Sequence, residues 1–121
     1  MKTANINGAW GEELAAKFLR RKGYKILEKN YRCRFGEIDV IAENREYLVF
    51  VEVKLRKNDS YGAGREFVTA QKQQRIKTTA MLYLSQNSCE KQPRFDVVEI
   101  FAPDGIETKR PVMNHLEDAF L

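Results

Sequence analysis

The stretch GEIDVIAENREYLVFVEVKLR, residues 36–56, constrains the fold more than any other part of the chain. Two runs, EIDVIA and EYLVFVEVKL, are rich in β-branched and aromatic residues and read as strands. The polar ENR between them reads as the turn of a hairpin. Each run also carries charge where a buried strand would favour valine: Asp39 in the first, Glu52 and Lys54 in the second. A charge in an apolar setting is costly without a partner. The hairpin must therefore turn these side chains to water or gather them into a site.

Alternation along a strand puts Glu52 and Lys54 on one face and Val51 and Val53 on the other. An even loop, such as residues 44–47, sets Asp39 opposite Glu52. An odd loop sets it on the other face unless a bulge restores the register. Both fit the sequence. In the first case two carboxylates and a lysine converge, and the carboxylates repel unless a cation separates them. A hard divalent ion such as Mg²⁺ suits a few carboxylate oxygens and keeps waters for a substrate. Such an ion stabilises charge on a phosphoryl group and activates water, while the lysine orients that water; this is the chemistry of phosphodiester hydrolysis. The plain alternative is a solvated strand face with a Glu–Lys pair of little energetic weight.

The flanking sequence suggests a frame for the hairpin. GAWGEELAAKFLRRK (8–22) is an amphipathic helix stopped by Gly23, and YKILEKNYR (24–32) is a first strand. NDSYGAGRE (58–66) is a turn-rich loop. TAQKQQRIKTTAMLYLSQN (69–87) is a second helix with Thr69 as its N-cap. PRFDVVEIFA (93–102) is a further strand, and PVMNHLEDAFL has no clear pattern. The expected class is α/β, a mixed central sheet flanked by helices in the order α-β-β-β-α-β. The 121 residues make one domain, 1–121, with its core at about 8–102.

Two elements outside the hairpin point ionisable groups inward. Glu12 aligns with Ala15, Ala16 and Leu19 on the apolar stripe of the first helix, whereas Glu13 aligns with Lys17 and Arg20 on the wet face. Glu12 is either a helix-start charge favoured by the dipole or a third acid aimed at the hairpin. Lys72 aligns with Ile76, Ala80 and Tyr83 near the start of the second helix, a place where positive charge is disfavoured. It either snorkels to water or reaches the same spot. Arg94 and Asp96 share a face and read as a structural ion pair, and Tyr61 and Arg65 flank the loop glycines.

Composition narrows the function classes. Twenty-one Lys and Arg against seventeen Asp and Glu give a net charge of +4, which suits a polyanionic partner. The basic residues cluster at RRK (20–22), KNYRCR (29–34), KLRK (54–57) and KQQRIK (72–77), so Arg34, Arg56 and Lys72 are candidate nucleic-acid contacts, as is Arg65 beside the loop glycines. Two cysteines and one histidine are too few for a zinc site or a disulfide scaffold. Neither a signal core nor a membrane-length apolar run is evident, so a reduced, cytoplasmic setting without membrane contact is expected.

The pattern GAWGEELAAKFL…GYKILEKNYR…GEIDVIA…LVFVEVKLR…YG…V…K…A…YL…RFDVVEI resembles the YraN-like family of bacterial proteins. That family belongs to the restriction-endonuclease-like PD-(D/E)XK superfamily and is similar to archaeal Holliday-junction resolvases. The resemblance implies a restriction-endonuclease-like fold with Asp39 and Glu52 as metal-binding acids, the Val53 backbone as a further ligand, and Lys54 as the catalytic lysine. Glu12 matches the acid that resolvase-like members carry on their first helix, and Lys72 a basic position in the second. The superfamily's proline before the aspartate is Ile38 here. The implied activity is Mg²⁺- or Mn²⁺-dependent endonuclease action on DNA, with branched or structured DNA as substrate and a homodimer for paired cuts. The alternative is a nucleic-acid-binding or adaptor domain on the same scaffold, without turnover.

Overall fold

In the computed structural model, residues 6–57 and 68–120 are described, and the element order follows from local chemistry. Helix α1 (Ile6–Arg21) ends where Gly23, at φ 96°, adopts the left-handed conformation. Gly23 N–H then bonds the Arg20 carbonyl and Tyr24 N–H the Leu19 carbonyl, each at 3.0 Å. This pair of bonds is the glycine-terminated stop that the sequence predicts. Helix α2 (Ala70–Gln86) is capped by Thr69, whose Oγ1 accepts from Lys72 N–H at 3.1 Å.

Between and after the helices lie β1 (Lys25–Cys33), β2 (Gly36–Glu43), β3 (Tyr47–Arg56), β4 (Gln92–Phe101) and β5 (Val112–Leu116). They form one five-stranded sheet in the order β1-β2-β3-β4-β5, antiparallel except for the parallel pair β3–β4. A parallel pair needs a crossover, and α2 provides it. The architecture is α/β with a mixed sheet and two helices, consistent with a restriction-endonuclease-like fold. It differs from expectation at its end. The sheet gains β5, and Phe120 beyond it is buried and stacks on Phe95 at 5.6 Å between ring centres. The expected loop at 58–66, with Tyr61 and Arg65, lies outside the described residues.

One core layer lies under each helix. Ala15 and Leu19 of α1 pack on Val40, Ala42, Val49, Val51, Val98 and Ile100. Ile76, Ala80 and Tyr83 of α2 pack on Ile38, Ile41, Leu48, Phe50 and Val97. Each of the larger aliphatic side chains among them contributes about 1.5–3 kcal/mol by leaving water.

Within this frame β2 does not alternate regularly. Ile38 belongs to the α2 layer, yet Val40, two residues on, belongs to the α1 layer. The change of face falls at Asp39. Opposite it, pairing passes from Lys29–Val40 to Tyr31–Ile38 and skips Asn30 and Asp39. Asn30 has φ 57°, a left-handed conformation that asparagine tolerates better than most residues. The neighbours of Asn30 change face as well. Lys29 reaches Glu13 on α1 at 2.6 Å, whereas Tyr31 packs in the α2 layer.

Candidate active site

The register between β2 and β3 settles the loop parity that the sequence leaves open. Val40 pairs with Val51, Ala42 with Val49 and Glu43 with Leu48. Asn44 Oδ1 accepts from Glu46 N–H at 3.0 Å and Tyr47 N–H at 2.8 Å, while Asn44 N–H bonds the Tyr47 carbonyl. The loop is therefore the even one, and continuing the ladder by one step sets Asp39 against Glu52.

At that step the backbone ladder gives way to a side chain. Asp39 Oδ2 accepts from Val53 N–H at 2.8 Å. A residue in an extended strand directs its N–H and C=O to the same side, so the Val53 carbonyl also points toward Asp39. The opening between the strands is reached from both layers. From the α1 side, the Glu12 carboxyl comes up against that of Asp39, close enough for each to shift the other's ionisation. Gly11 allows this approach, since a Cβ there would lie 3.3 Å from Leu55 Cδ2. From the α2 side, Lys72 Nζ lies 2.6 Å from Glu52 Oε2, and the Glu52 side chain is only 5% exposed.

Four of the sequence-predicted residues, Asp39, Glu52, Glu12 and Lys72, thus meet at one place. Lys54 lies two residues beyond Glu52 on the same strand, half-buried and without an ion pair among the described residues. Arg56 Nε instead bonds Glu99 Oε2 at 2.9 Å, and Arg34 lies on the β1–β2 turn. Lys72 is held by a carboxylate, so it is a member of the acidic cluster as well as a basic position of α2.

The electrostatics are those of acids crowded together. Burial, and then the neighbouring Glu52 charge, push the Asp39 carboxyl up to about 8, against the Val53 N–H bond that favours its ionised form. Glu12 is raised as well, first by burial and then by Glu37, although its contact with Asp39 works in the opposite direction. Two carboxyls in contact favour sharing one proton over both being ionised. Among the described residues, no three His, Cys, Asp or Glu side chains form a ready-made metal cage. The donor chemistry nevertheless fits Mg²⁺. Glu52 engages one oxygen with Lys72 and leaves the other, while Asp39 engages Oδ2 with Val53 N–H and turns toward Glu12 an oxygen that can meet the ion once the carboxyl ionises. Mg²⁺ binds through one or two carboxylates and keeps several waters.

Comparison with known proteins bears on this geometry. Residues 11–100 match the profile of "Uncharacterised protein family UPF0102". The chain belongs to this family. A UPF0102 protein of Syntrophomonas wolfei is 46% identical over 93% of this chain and 96% of its own length. One from Nocardia farcinica is 46% identical over 93% and 87%, and one from Clostridium perfringens 45% over 93% and 92%. The UPF0102 match runs from just before Glu12 to Ile100 and so contains every element of the site, stopping short of β5.

Two residues beside the candidate site are not singled out by the sequence pattern. Glu99 is fully buried and stands beside Lys54 in the β3–β4 register, bonded to Arg56 and, at 3.0 Å, to Asn114 Nδ2. Its signal was available: an acid inside the apolar run FDVVEI poses the same question as Asp39 inside EIDVIA. Asn30, which turns β1 opposite Asp39, was legible only as an asparagine placed where strands rarely have one.

Proposed function

We propose that this protein is a metal-dependent DNA endonuclease. The observation that carries the reading is the convergence of Asp39, Glu52 and Glu12 with Lys72 at the opening between β2 and β3, beside Lys54. Carboxylates held this closely disfavour one another's ionised forms unless a cation joins them. Asp39, Glu52 and the Val53 carbonyl would hold Mg²⁺ or Mn²⁺. The ion, when bound, supplies charge stabilisation at the phosphoryl group and a more acidic water.

The chain's own residues do the rest. Lys72 holds the Glu52 carboxylate in place, and Val53 N–H holds that of Asp39. Glu12 meets Asp39 at the same opening, so the proton that the two carboxyls share would be released once Asp39 ionises to hold the ion. Lys54 orients the attacking water by hydrogen bonding. Water adds to phosphorus as the P–O3′ bond breaks, leaving a 5′-phosphate and a 3′-hydroxyl. Branched or structured DNA is the substrate suggested by similarity to resolvases, and paired cuts across a junction would require a homodimer.

One observation favours a second reading, a nucleic-acid-binding domain without turnover. The Lys72 ammonium 2.6 Å from Glu52 already supplies a cation to that carboxylate. The deciding experiment incubates a labelled four-way junction, a flap, a duplex and a single strand with Mn²⁺, Mg²⁺ or chelator, beside Glu52→Gln and Lys54→Ala. Metal-dependent cleavage reduced at least about 100-fold in both variants, with their melting transitions retained, supports the nuclease. Binding that ignores chelator, with no product, replaces it with the second reading.

A further inference from the structure

The β1–β2 turn exposes a large aromatic ring close to the acidic cluster. Phe35 is 38% exposed, and the Arg34 guanidinium lies 4.9 Å from its ring centre. The turn is anchored beneath the ring. Phe35 N–H bonds Cys33 Sγ at 3.3 Å, and Cys33 Sγ lies 3.7 Å from Thr79 Oγ1, whose hydroxyl bonds the Arg75 carbonyl. Gly36 lets the turn settle on α2: a Cβ there would be 3.3 Å from Thr79 Oγ1 and 3.6 Å from Arg75 Cβ. The contacts thus tie the backbone below Phe35 to a helix rather than leaving it on a loop.

Cations connect this ring to the acids. Arg75 lies one helical turn from Lys72, which reaches Glu52. Arg34 extends the series onto the turn, and Arg32 on the adjoining strand is largely exposed, although Glu37 pairs with it at 3.3 Å. Along β2, Gly36 and Asp39 are three residues apart, about 10 Å. That is roughly one to two nucleotides of extended strand. A fixed aromatic ring with guanidinium support, set on a basic path, is what an unstacked nucleobase recognises.

We infer that Phe35 and Arg34 form a stacking platform for an unpaired base, with Arg75 and Lys72 following the phosphates from that base to Asp39 and Glu52. The substrate class is DNA with a single-stranded segment beside the bond that is cut. This rests on the endonuclease reading for its biological sense, but its test does not require cleavage.

Binding is measured in chelator by fluorescence anisotropy, using a labelled single strand, a duplex with an unpaired flap and a blunt duplex. Phe35→Ala should weaken binding to the first two by roughly 5- to 150-fold, the usual range for losing one stacked base, and leave the blunt duplex within about twofold. Phe35→Trp should retain wild-type affinity, and thermal melting checks that both variants fold. An equal loss on all three DNAs, unchanged single-strand binding in Phe35→Ala, or no single-strand binding by the wild type at low salt overturns the platform. If the protein never cleaves but Phe35→Ala shows the selective loss, the platform stands and the nuclease reading alone fails.

Discussion

Replacing Asp39 by asparagine separates the shape of the cluster from its charge. The amide oxygen can still accept the Val53 N–H, and the amide nitrogen can donate to Glu12. What disappears is a carboxyl that titrates near 3.8 in the unfolded chain and at about 8 in the folded one. Between those values the folded protein retains a proton that the unfolded chain has released. Stability therefore falls as pH rises from about 4 to about 8, and this group takes nothing further above that range. The full shift corresponds to roughly 6 kcal/mol. Asp39 is only partly buried, and Lys72 lies nearby, so we expect about 2 kcal/mol to be expressed. For a chain of this length that is about 8 °C in Tm. Melting curves of wild type and Asp39→Asn in chelator should nearly coincide around pH 4 and diverge steadily to pH 8, with the variant the more stable. Saturating Mn²⁺ should reverse the order, because only the wild type gains the stabilisation that a ligand gives the folded state, about 2.7 kcal/mol at a hundredfold excess over Kd. A melting difference that stays flat from pH 4 to 8 would refute the crowded-acid argument.

Two further predictions concern the frame. Asn30→Val places a β-branched residue at φ 57° and should cost about 1–2 kcal/mol in chemical denaturation, whereas Asn30→Gly should be tolerated within a few tenths. Asp96 is fully buried and accepts two bonds from Arg94, at 2.9 and 2.8 Å, one from Asp118 N–H at 2.9 Å, and lies 2.7 Å from His115 Nε2. Burial alone would raise its pKa, but these partners outweigh that and hold the carboxyl below its ordinary range. Asp96→Ala should cost about 3–5 kcal/mol by urea denaturation, since it leaves the Arg94 charge largely buried without its main partner.

The hairpin, both helix caps and the two inward ionisable groups outside the hairpin, Glu12 and Lys72, were legible because each rests on a short-range rule. Thr69 precedes a helical stretch, Gly23 follows one, and Glu12 repeats the spacing of Ala16 and Leu19. The loop parity was not legible, since it depends on how the Asn44 side chain bonds two backbone groups. Nor was the face change at Asp39, which depends on Asn30 in the neighbouring strand. Strand β5 was hidden for a related reason. Asn114 and His115 in its middle are polar and bond Glu99 and Asp96 of β4, so no apolar alternation marks it.

The strands stand in the sheet in the order in which they are synthesised, with one crossover, between β3 and β4. On the ribosome, β1 to β3 can pair as they emerge, but β3 stays an open edge until the chain has grown through α2 to Gln92. A valine-rich open edge invites pairing with another nascent chain, and charges within such an edge discourage it. Glu52 and Lys54 sit in that edge before α2 delivers Lys72 to Glu52. The residues proposed to cut DNA in the finished protein would thus also guard an unfinished sheet, which gives selection a reason to retain them that is independent of turnover.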